Sequence, residues 1–161
     1  MKKIMCGLLF VTFLSCNTQT PTQLSEEALN DTFVTLYGGS KSLKSVLGSH
    51  KGKTIFIDIW ASWCGDCIKN MPKVKALQNE YKDVVYLFLS LDRGQKSWKK
   101  GIEKYDVEGE HYFIPSADDS AFAEFTDIDW IPRYMIVDGI GNIKLFKAVT
   151  ADDERIKEYL N

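Results

Sequence analysis

The sequence has no excess of either charge, no long apolar run and few cysteines. Its 20 Lys and Arg stand against 22 Asp and Glu, so the basic excess typical of nucleic-acid binding is missing. No apolar run reaches the roughly 18 residues that a membrane-spanning helix requires. Four cysteines in 161 residues are too few for a disulfide scaffold. The 45 % hydrophobic content instead indicates one globular domain with a sizeable core.

Residues 1–15 have the pattern of an export signal. Two lysines precede an apolar run that ends at Leu14 and is too short to cross a bilayer. The run is followed by Ser15, which is small enough to precede a cleavage point, and then by Cys16. This stretch resembles the lipobox of bacterial lipoproteins, whose cysteine is acylated, although Phe13 stands where that family usually has Leu. An ordinary secretory signal, with Cys16 incidental, stays open as the alternative.

The chain is therefore predicted to have three segments. Residues 1–15 form a lipoprotein signal peptide, which contains Cys6, and the polar residues 16–25 form a flexible tether. Residues 26–161 form the folded domain. This organisation places the domain outside the cytoplasm, held to a bacterial membrane through lipid on Cys16.

Strand and helix patterns alternate along the domain, which predicts an α/β fold with a largely parallel sheet. The segment 26–37 is divided, with a helical front and a strand-like end. Strands are predicted over 54–60, 84–91, 112–115, 133–137 and 143–147, the last two as a hairpin. Helices are predicted over 40–47, 64–81, 95–105, 118–125 (with Asp118 as its cap) and 152–160.

The two remaining cysteines, Cys64 and Cys67, follow a buried strand and open a helix. The first turn of a helix has free N–H groups and a partial positive charge, which lower the pKa of a thiol placed there. The spacing of three residues brings the second sulfur near the first. Cys64 can then attack a disulfide in another protein, and Cys67 can resolve the mixed disulfide.

Two other interpretations of this cysteine pair stay open. A C-x-x-C pair is also half of a zinc site, and His50 and His111 are the further strong ligand candidates. The pair could also form a purely structural disulfide, although a bridge across one helical turn restrains little chain.

Residues 57–67, with the sequence IDIWASWCGDC, resemble the active-site segment of thioredoxins. Together with the export signal and the lead-in 51–53, the chain is most similar to the extracytoplasmic branch typified by TlpA and ResA, over about residues 40–160. The resemblance implies a thioredoxin-like α/β fold, a central mixed sheet with helices on both faces. It also implies thiol–disulfide oxidoreductase activity without a cofactor or metal. The dipeptide Gly65–Asp66 departs from the commoner Gly-Pro, and the charge of Asp66 should oppose thiolate formation.

The resemblance also assigns a role to Asp58, which interrupts an apolar strand. A buried carboxyl group is costly to ionise, so its pKa should rise. In thioredoxins the matching acid moves the proton of the second cysteine, which makes Asp58 the general acid/base for Cys67. The alternative is an acid at a strand end that faces solvent.

The remaining predicted site residues would bind substrate. Pro132 matches the family's cis-proline opposite the cysteines, and Ile131 before it would pair its backbone with a bound peptide. A loop-breaking proline with a trans bond is the alternative. Trp63, Gly65 and Asp66 would complete the docking surface.

We therefore expect a membrane-tethered oxidoreductase that reduces protein disulfides. Its partners would be disulfide-bearing client proteins and a membrane electron donor, and we expect a monomer. A disulfide isomerase or oxidase is one alternative, and a non-catalytic module that holds a thiol-bearing client, such as an apocytochrome or a copper carrier, is another. A thiol peroxidase would need Thr three residues before the reactive cysteine, where Ala61 stands.

Overall fold

The computed structural model describes residues 20–161, so the predicted signal peptide, Cys6 and Cys16 lie outside the described residues. The helices are α1 (Glu26–Asn30), α2 (Leu43–Ser49), α3 (Gly65–Glu80), α4 (Gln95–Tyr105), α5 (Ala121–Thr126) and α6 (Glu154–Leu160). The strands are β1 (Thr32–Thr35), β2 (Ser40–Ser42), β3 (Ile55–Trp60), β4 (Val85–Ser90), β5 (Glu110–Phe113), β6 (Arg133–Val137) and β7 (Ile143–Ala148).

The strands form one mixed seven-stranded sheet in the order β2-β1-β5-β4-β3-β6-β7. The three strands β3, β4 and β5 are parallel, and the remaining pairs are antiparallel. All six residues of β3 are buried, as expected of a central strand covered on both faces. The α/β class and the mixed sheet agree with the prediction.

Helices cover both faces of the sheet and create two cores. The buried side chains of α3, α4 and α6 pack with Phe56 and Trp60 of β3 on one face. Those of α1, α2 and α5 pack with Ile55, Ile57 and Ile59 on the other. Alternate residues of β3 therefore point to opposite cores. Asp58, between Phe56 and Trp60, points to the face that carries α3.

The prediction missed the hairpin formed by β1 and β2. Residues 26–37 divide into a helix and a strand as expected, but residues 40–42, predicted as helical, pair antiparallel with β1. Gly38 and Gly39 make the turn with φ angles of 88° and 81°, a region that favours glycine. The helix begins only at Leu43, because the hydroxyl of Ser42 caps it by accepting from the Ser45 amide.

The end of the segment predicted as a flexible tether belongs to the fold. The carbonyl of Thr22 accepts from the amide of Ile143 at 2.8 Å, and Gln23 forms a bridge with Asn142. Leu24 is buried, and the Ser25 hydroxyl caps α1. The backbone contacts hold Thr22 and Gln23 beside the start of β7, while Leu24 and Ser25 join the core and the start of α1.

The cap of α5 also differs from the prediction. The capping residue is Ser120, whose hydroxyl accepts from the Ala123 amide at 3.1 Å, and not Asp118. Asp31 adds a second capping contact, since its carboxylate accepts from the Phe122 amide and from the Ser120 hydroxyl. This long-range partner moves the start of the helix towards Ala121.

Within residues 20–161, none of the helices is long and apolar enough to cross a membrane.

Candidate active site

The cysteines Cys64 and Cys67 form a disulfide at the start of α3. Their Cα atoms are 5.3 Å apart, and the Cys67 amide lies 3.0 Å from Cys64 Sγ, which accepts its hydrogen bond. Cys64 is therefore the N-cap of α3, with its sulfur at the positive end of the helix. Cys64 is 6 % exposed and Cys67 only 1 %, so Cys64 is the sulfur that an external thiol can reach.

The two thiols should differ in reactivity once the disulfide is reduced. We expect iodoacetamide to alkylate Cys64 at least about tenfold faster than Cys67 at neutral pH. The helix N-terminus lowers the pKa of the Cys64 thiol, while burial raises that of Cys67. Peptide mapping by mass spectrometry across pH 5–10 measures both rates in the whole chain. Equal rates, or faster labelling of Cys67, would contradict the assignment of Cys64 as nucleophile.

The Ile131–Pro132 peptide bond faces the disulfide. The bond is cis, as the resemblance implied, which excludes the trans alternative. The Ile131 carbonyl oxygen lies 3.6 Å from Cys64 Sγ. This backbone edge therefore stands beside the reactive sulfur, where an extended peptide could pair with it.

A groove of about 470 Å³ passes over Cys64. Trp63 and Trp130 line the groove, and each residue is 60 % exposed. Large exposed aromatic side chains that cluster on a protein surface mark contact surfaces. The other residues that line the groove are Gly65, Asp66, Leu91, Ile128, Asp129 and Ile131. The predicted substrate residues Trp63, Gly65, Asp66 and Ile131 thus come together here, with Pro132 buried beside them.

A fully buried arginine supports the loop 126–131, which lines one side of this groove. Arg133 follows the cis-proline, and its guanidinium donates to the carbonyls of Thr126 at 2.6 Å and Asp127 at 3.1 Å. It also donates to the carboxylate of Asp129 at 2.7 Å. Lys147 binds the same carboxylate, which lowers the pKa of Asp129. Arg133 therefore holds the loop 126–131 through Thr126, Asp127 and Asp129.

Replacing Arg133 with methionine should loosen this loop. Hydrogen bonds to a charged group are worth about 1.5–3 kcal/mol each, and methionine replaces the stem of the arginine but not its donors. We expect KM for a disulfide peptide to rise about tenfold while the alkylation rate of Cys64 is unchanged. Steady-state kinetics measure the first quantity and iodoacetamide labelling the second. Arg155→Met, at an exposed ion pair with Asp153, is the matched control, and an unchanged KM in Arg133→Met would count against the clamp.

Asp58 lies buried in the middle of β3, only 1 % exposed, which rules out an acid that faces solvent. Its alternate neighbours in β3, Phe56 and Trp60, pack in the core that contains Cys64 and Cys67, so Asp58 points to the same face of the sheet. Its Oδ1 has no hydrogen-bond partner among the described residues, and burial raises its pKa well above the ordinary value. A carboxyl group whose pKa is raised from its ordinary value towards that of a thiol can accept the thiol proton when ionised and return it when protonated.

No group of three or more His, Cys, Asp or Glu side chains is placed to hold a metal ion within residues 20–161. The two histidines considered as zinc ligands are engaged elsewhere. His50 lies 2.8 Å from the carboxylate of Glu110, and His111 lies 2.9 Å from the carbonyl of Val107 through Nε2. The structure does not bring either to the cysteine pair.

Sequence reasoning missed several residues around the site. Trp130 directly precedes Ile131, and this position next to a predicted docking residue could have identified it as a site residue from the sequence. Arg133 and Asp92 are buried polar residues at strand ends near the disulfide, but their partners lie in other segments. Only the fold brings those partners together.

Comparisons with known proteins agree with this geometry. The model of the family described as thioredoxin-like matches residues 52–143. The thioredoxin-like protein YneN of Bacillus subtilis is 32 % identical over 89 residues, which cover 53 % of this chain and 50 % of YneN. The thiol-disulfide oxidoreductase ResA of Bacillus thuringiensis is 26 % identical over 98 % of this chain and 89 % of ResA. The chain thus spans about half the length of the first relative and most of the second.

A solved structure shows the same architecture. The thioredoxin domain of a thiol-disulfide oxidoreductase from Bacteroides vulgatus superposes with a TM-score of 0.69 at 26 % identity, covering 86 % of this chain and 99 % of that domain.

The family model covers more than half of the chain and includes the cysteine pair, the buried acid and the cis-proline. The chain therefore belongs to the thioredoxin-like family.

Proposed function

We propose that this protein is a thiol–disulfide oxidoreductase that exchanges electrons through Cys64 and Cys67. One observation carries the proposal: a disulfide caps a helix beneath a groove with aromatic walls, with one sulfur more accessible than the other. A purely structural disulfide would need neither the groove nor the adjacent backbone edge. The ResA and Bacteroides relatives, named as thiol-disulfide oxidoreductases, support the same activity.

The proposed reaction begins from the dithiol. The Cys64 thiolate attacks one sulfur of a client disulfide, forms a mixed disulfide and releases the other client sulfur as a thiolate. Cys67 then gives its proton to the carboxylate form of Asp58 and attacks Cys64 Sγ, and the second client sulfur leaves as a thiolate. Two electrons pass from the protein to the client, and the Cys64–Cys67 disulfide is the product. Asp58 is the proposed acceptor because Phe56 and Trp60, its neighbours on the same face of β3, pack in the core that contains Cys67.

Substrate docking follows from the groove. An extended client segment would add its backbone to the edge at Ile131, which lies beside Cys64. The rings of Trp63 and Trp130 would cover apolar side chains next to the client cysteine. The preferred substrates are therefore disulfides in exposed, extended protein segments.

We further propose reduction as the physiological direction, in an extracytoplasmic position at a bacterial membrane. An oxidising compartment makes disulfides by other means, so a dedicated reductase has a distinct task there. Reduction consumes electrons, and a membrane electron-donor protein would have to restore the dithiol. The export pattern of residues 1–15 supports the location, and Cys16 supplies the proposed lipid anchor.

An insulin-reduction assay tests the activity. The reduced parent protein should precipitate insulin chains in the presence of dithiothreitol, and Cys64→Ser should fall to the background rate. Cys16→Ser is a matched cysteine control, and the activity of its domain should be unchanged. A parent protein that binds thiol-bearing clients without turnover would instead identify a carrier module.

Mass spectrometry of protein from its native membrane tests the anchor. We expect an N-terminus at Cys16 that carries acyl chains, because the stretch before it resembles a lipobox. An unmodified N-terminus at another residue would show an ordinary secretory signal instead.

A further inference from the structure

A second buried acid, Asp92, binds the turn that carries Cys64. It lies two residues beyond the end of β4 and is buried. Its carboxylate accepts from the Ser62 amide at 3.0 Å and from the Ser62 hydroxyl at 2.6 Å. The hydroxyl of Ser90, itself fully buried, donates a third hydrogen bond at 2.9 Å. The two oxygens of this carboxyl group together accept three hydrogen bonds, which is the pattern expected of an ionised carboxylate.

Ser62 belongs to the short turn from β3 to α3. The Cys64 amide donates to the Ala61 carbonyl at 3.0 Å and closes this turn. Helix α4 packs closely against this turn, because a Cβ added at Gly101 would lie 2.5 Å from the Ser62 Cβ. Asp92 therefore binds Ser62 by two hydrogen bonds while α4 packs against its Cβ, and these contacts hold the turn that carries Cys64.

The two buried acids near the cysteines have opposite surroundings. Asp58 has an oxygen without any partner among residues 20–161, whereas three donors meet the carboxylate of Asp92. Ser62 stands two residues before Cys64, so their Cα atoms are at most about 7 Å apart. The Asp92 carboxylate is buried and hydrogen-bonded to Ser62, so its negative charge is screened less than a surface charge and opposes the thiolate of Cys64. That opposition favours the disulfide over the dithiol.

We propose that Asp92 is a positioning residue that holds Cys64 through Ser62 and makes the Cys64–Cys67 pair a stronger reductant. The inference rests on the proposed thiol–disulfide exchange and deepens it. Asparagine at this position can keep every hydrogen bond, because the serine hydroxyls can rotate to accept from its amide group. Asp92→Asn therefore removes the charge and keeps the contacts.

The test is redox equilibration of the whole chain with glutathione. We expect Asp92→Asn to shift the equilibrium constant about tenfold towards the dithiol, or about 30 mV towards a less negative potential. The pKa of the Cys64 thiol, followed by iodoacetamide labelling, should fall in parallel. Asp83→Asn, at an exposed acid, is the matched control and should behave as the parent.

A second variant tests the contact itself. Ser62→Ala keeps the Cβ that packs on Gly101 and loses the hydroxyl bound to Asp92. We expect it to change the same equilibrium constant at least threefold, which also covers the case in which Asp92→Asn does not fold. If Asp92→Asn folds and has the equilibrium constant of the parent, the inference is overturned but the proposed function is not. If Asp92→Asn does not fold, an equilibrium constant equal to that of the parent in Ser62→Ala has the same consequence. A parent protein that does not equilibrate with glutathione would overturn the proposed function, and the inference with it.

Discussion

Cys67→Ser is expected to leave the protein covalently joined to its client and to abolish turnover. Cys64 remains free to attack, but the sulfur that resolves the mixed disulfide is gone. A neighbouring group in the right geometry acts at an effective concentration far above that of millimolar external thiols. Multiple-turnover reduction of insulin should therefore fall at least about 1,000-fold.

Non-reducing electrophoresis and mass spectrometry measure the trapped product of this variant. The adduct should map to Cys64, because Cys67 is almost completely buried behind it. Cys64→Ser is the matched variant and should form no adduct. Equal trapping by the two variants would show that either sulfur can attack and would contradict the assigned roles.

Asp58→Asn is expected to slow disulfide reduction at neutral pH by about 100-fold, near the lower end of what a positioned acid or base contributes. Asparagine has nearly the same shape but cannot take up the proton of Cys67. The loss should shrink at high pH, where Cys67 ionises without help. Stopped-flow kinetics from pH 6 to 9 measure this dependence. A rate profile identical to that of the parent would remove Asp58 from proton transfer.

The same substitution should stabilise the fold at high pH. Burial raises the pKa of Asp58, so the native state holds a proton that the unfolded chain releases at about pH 4. The parent's free energy of unfolding therefore falls as the pH rises from about 4 through the raised native pKa. We expect Asp58→Asn to be more stable than the parent at pH 8 and to lose this advantage near pH 3. Urea unfolding at both pH values measures the difference, with Asp83→Asn as the exposed control.

The centre of the site was predictable because its signals are local. β3 is a continuous buried strand, and α3 was predicted over 64–81 and runs from Gly65 to Glu80. A cysteine at the junction of such a strand and helix lies at a helix N-terminus whatever the rest of the chain does. The position and spacing of the cysteine pair are therefore properties of about fifteen consecutive residues.

The edge of the sheet was not predictable in this way. β2 is a three-residue strand without a buried apolar residue, so it has no periodicity of its own. It exists because it pairs with β1, which pairs in turn with the distant β5. Residues 22–25 are likewise ordered by β7, more than a hundred residues away.

The supporting contacts of the site lie between these two cases. Arg133 and Asp92 look like ordinary surface charges in the sequence. Asp92 meets Ser62 across 30 positions, and the loop that Arg133 holds is shaped by α5 and β7. Their burial depends on which strands are neighbours, and that order is a property of the whole fold.

The midpoint potential of the Cys64–Cys67 pair tests the central claim most directly. Equilibration with glutathione buffers, read by mass spectrometry of alkylated protein, gives the potential without a client or an electron donor. We expect one reversible two-electron couple at about −270 mV, the value for thioredoxin. A pair that does not exchange with glutathione would contradict a redox role, and a potential of about −120 mV would reverse the proposed direction.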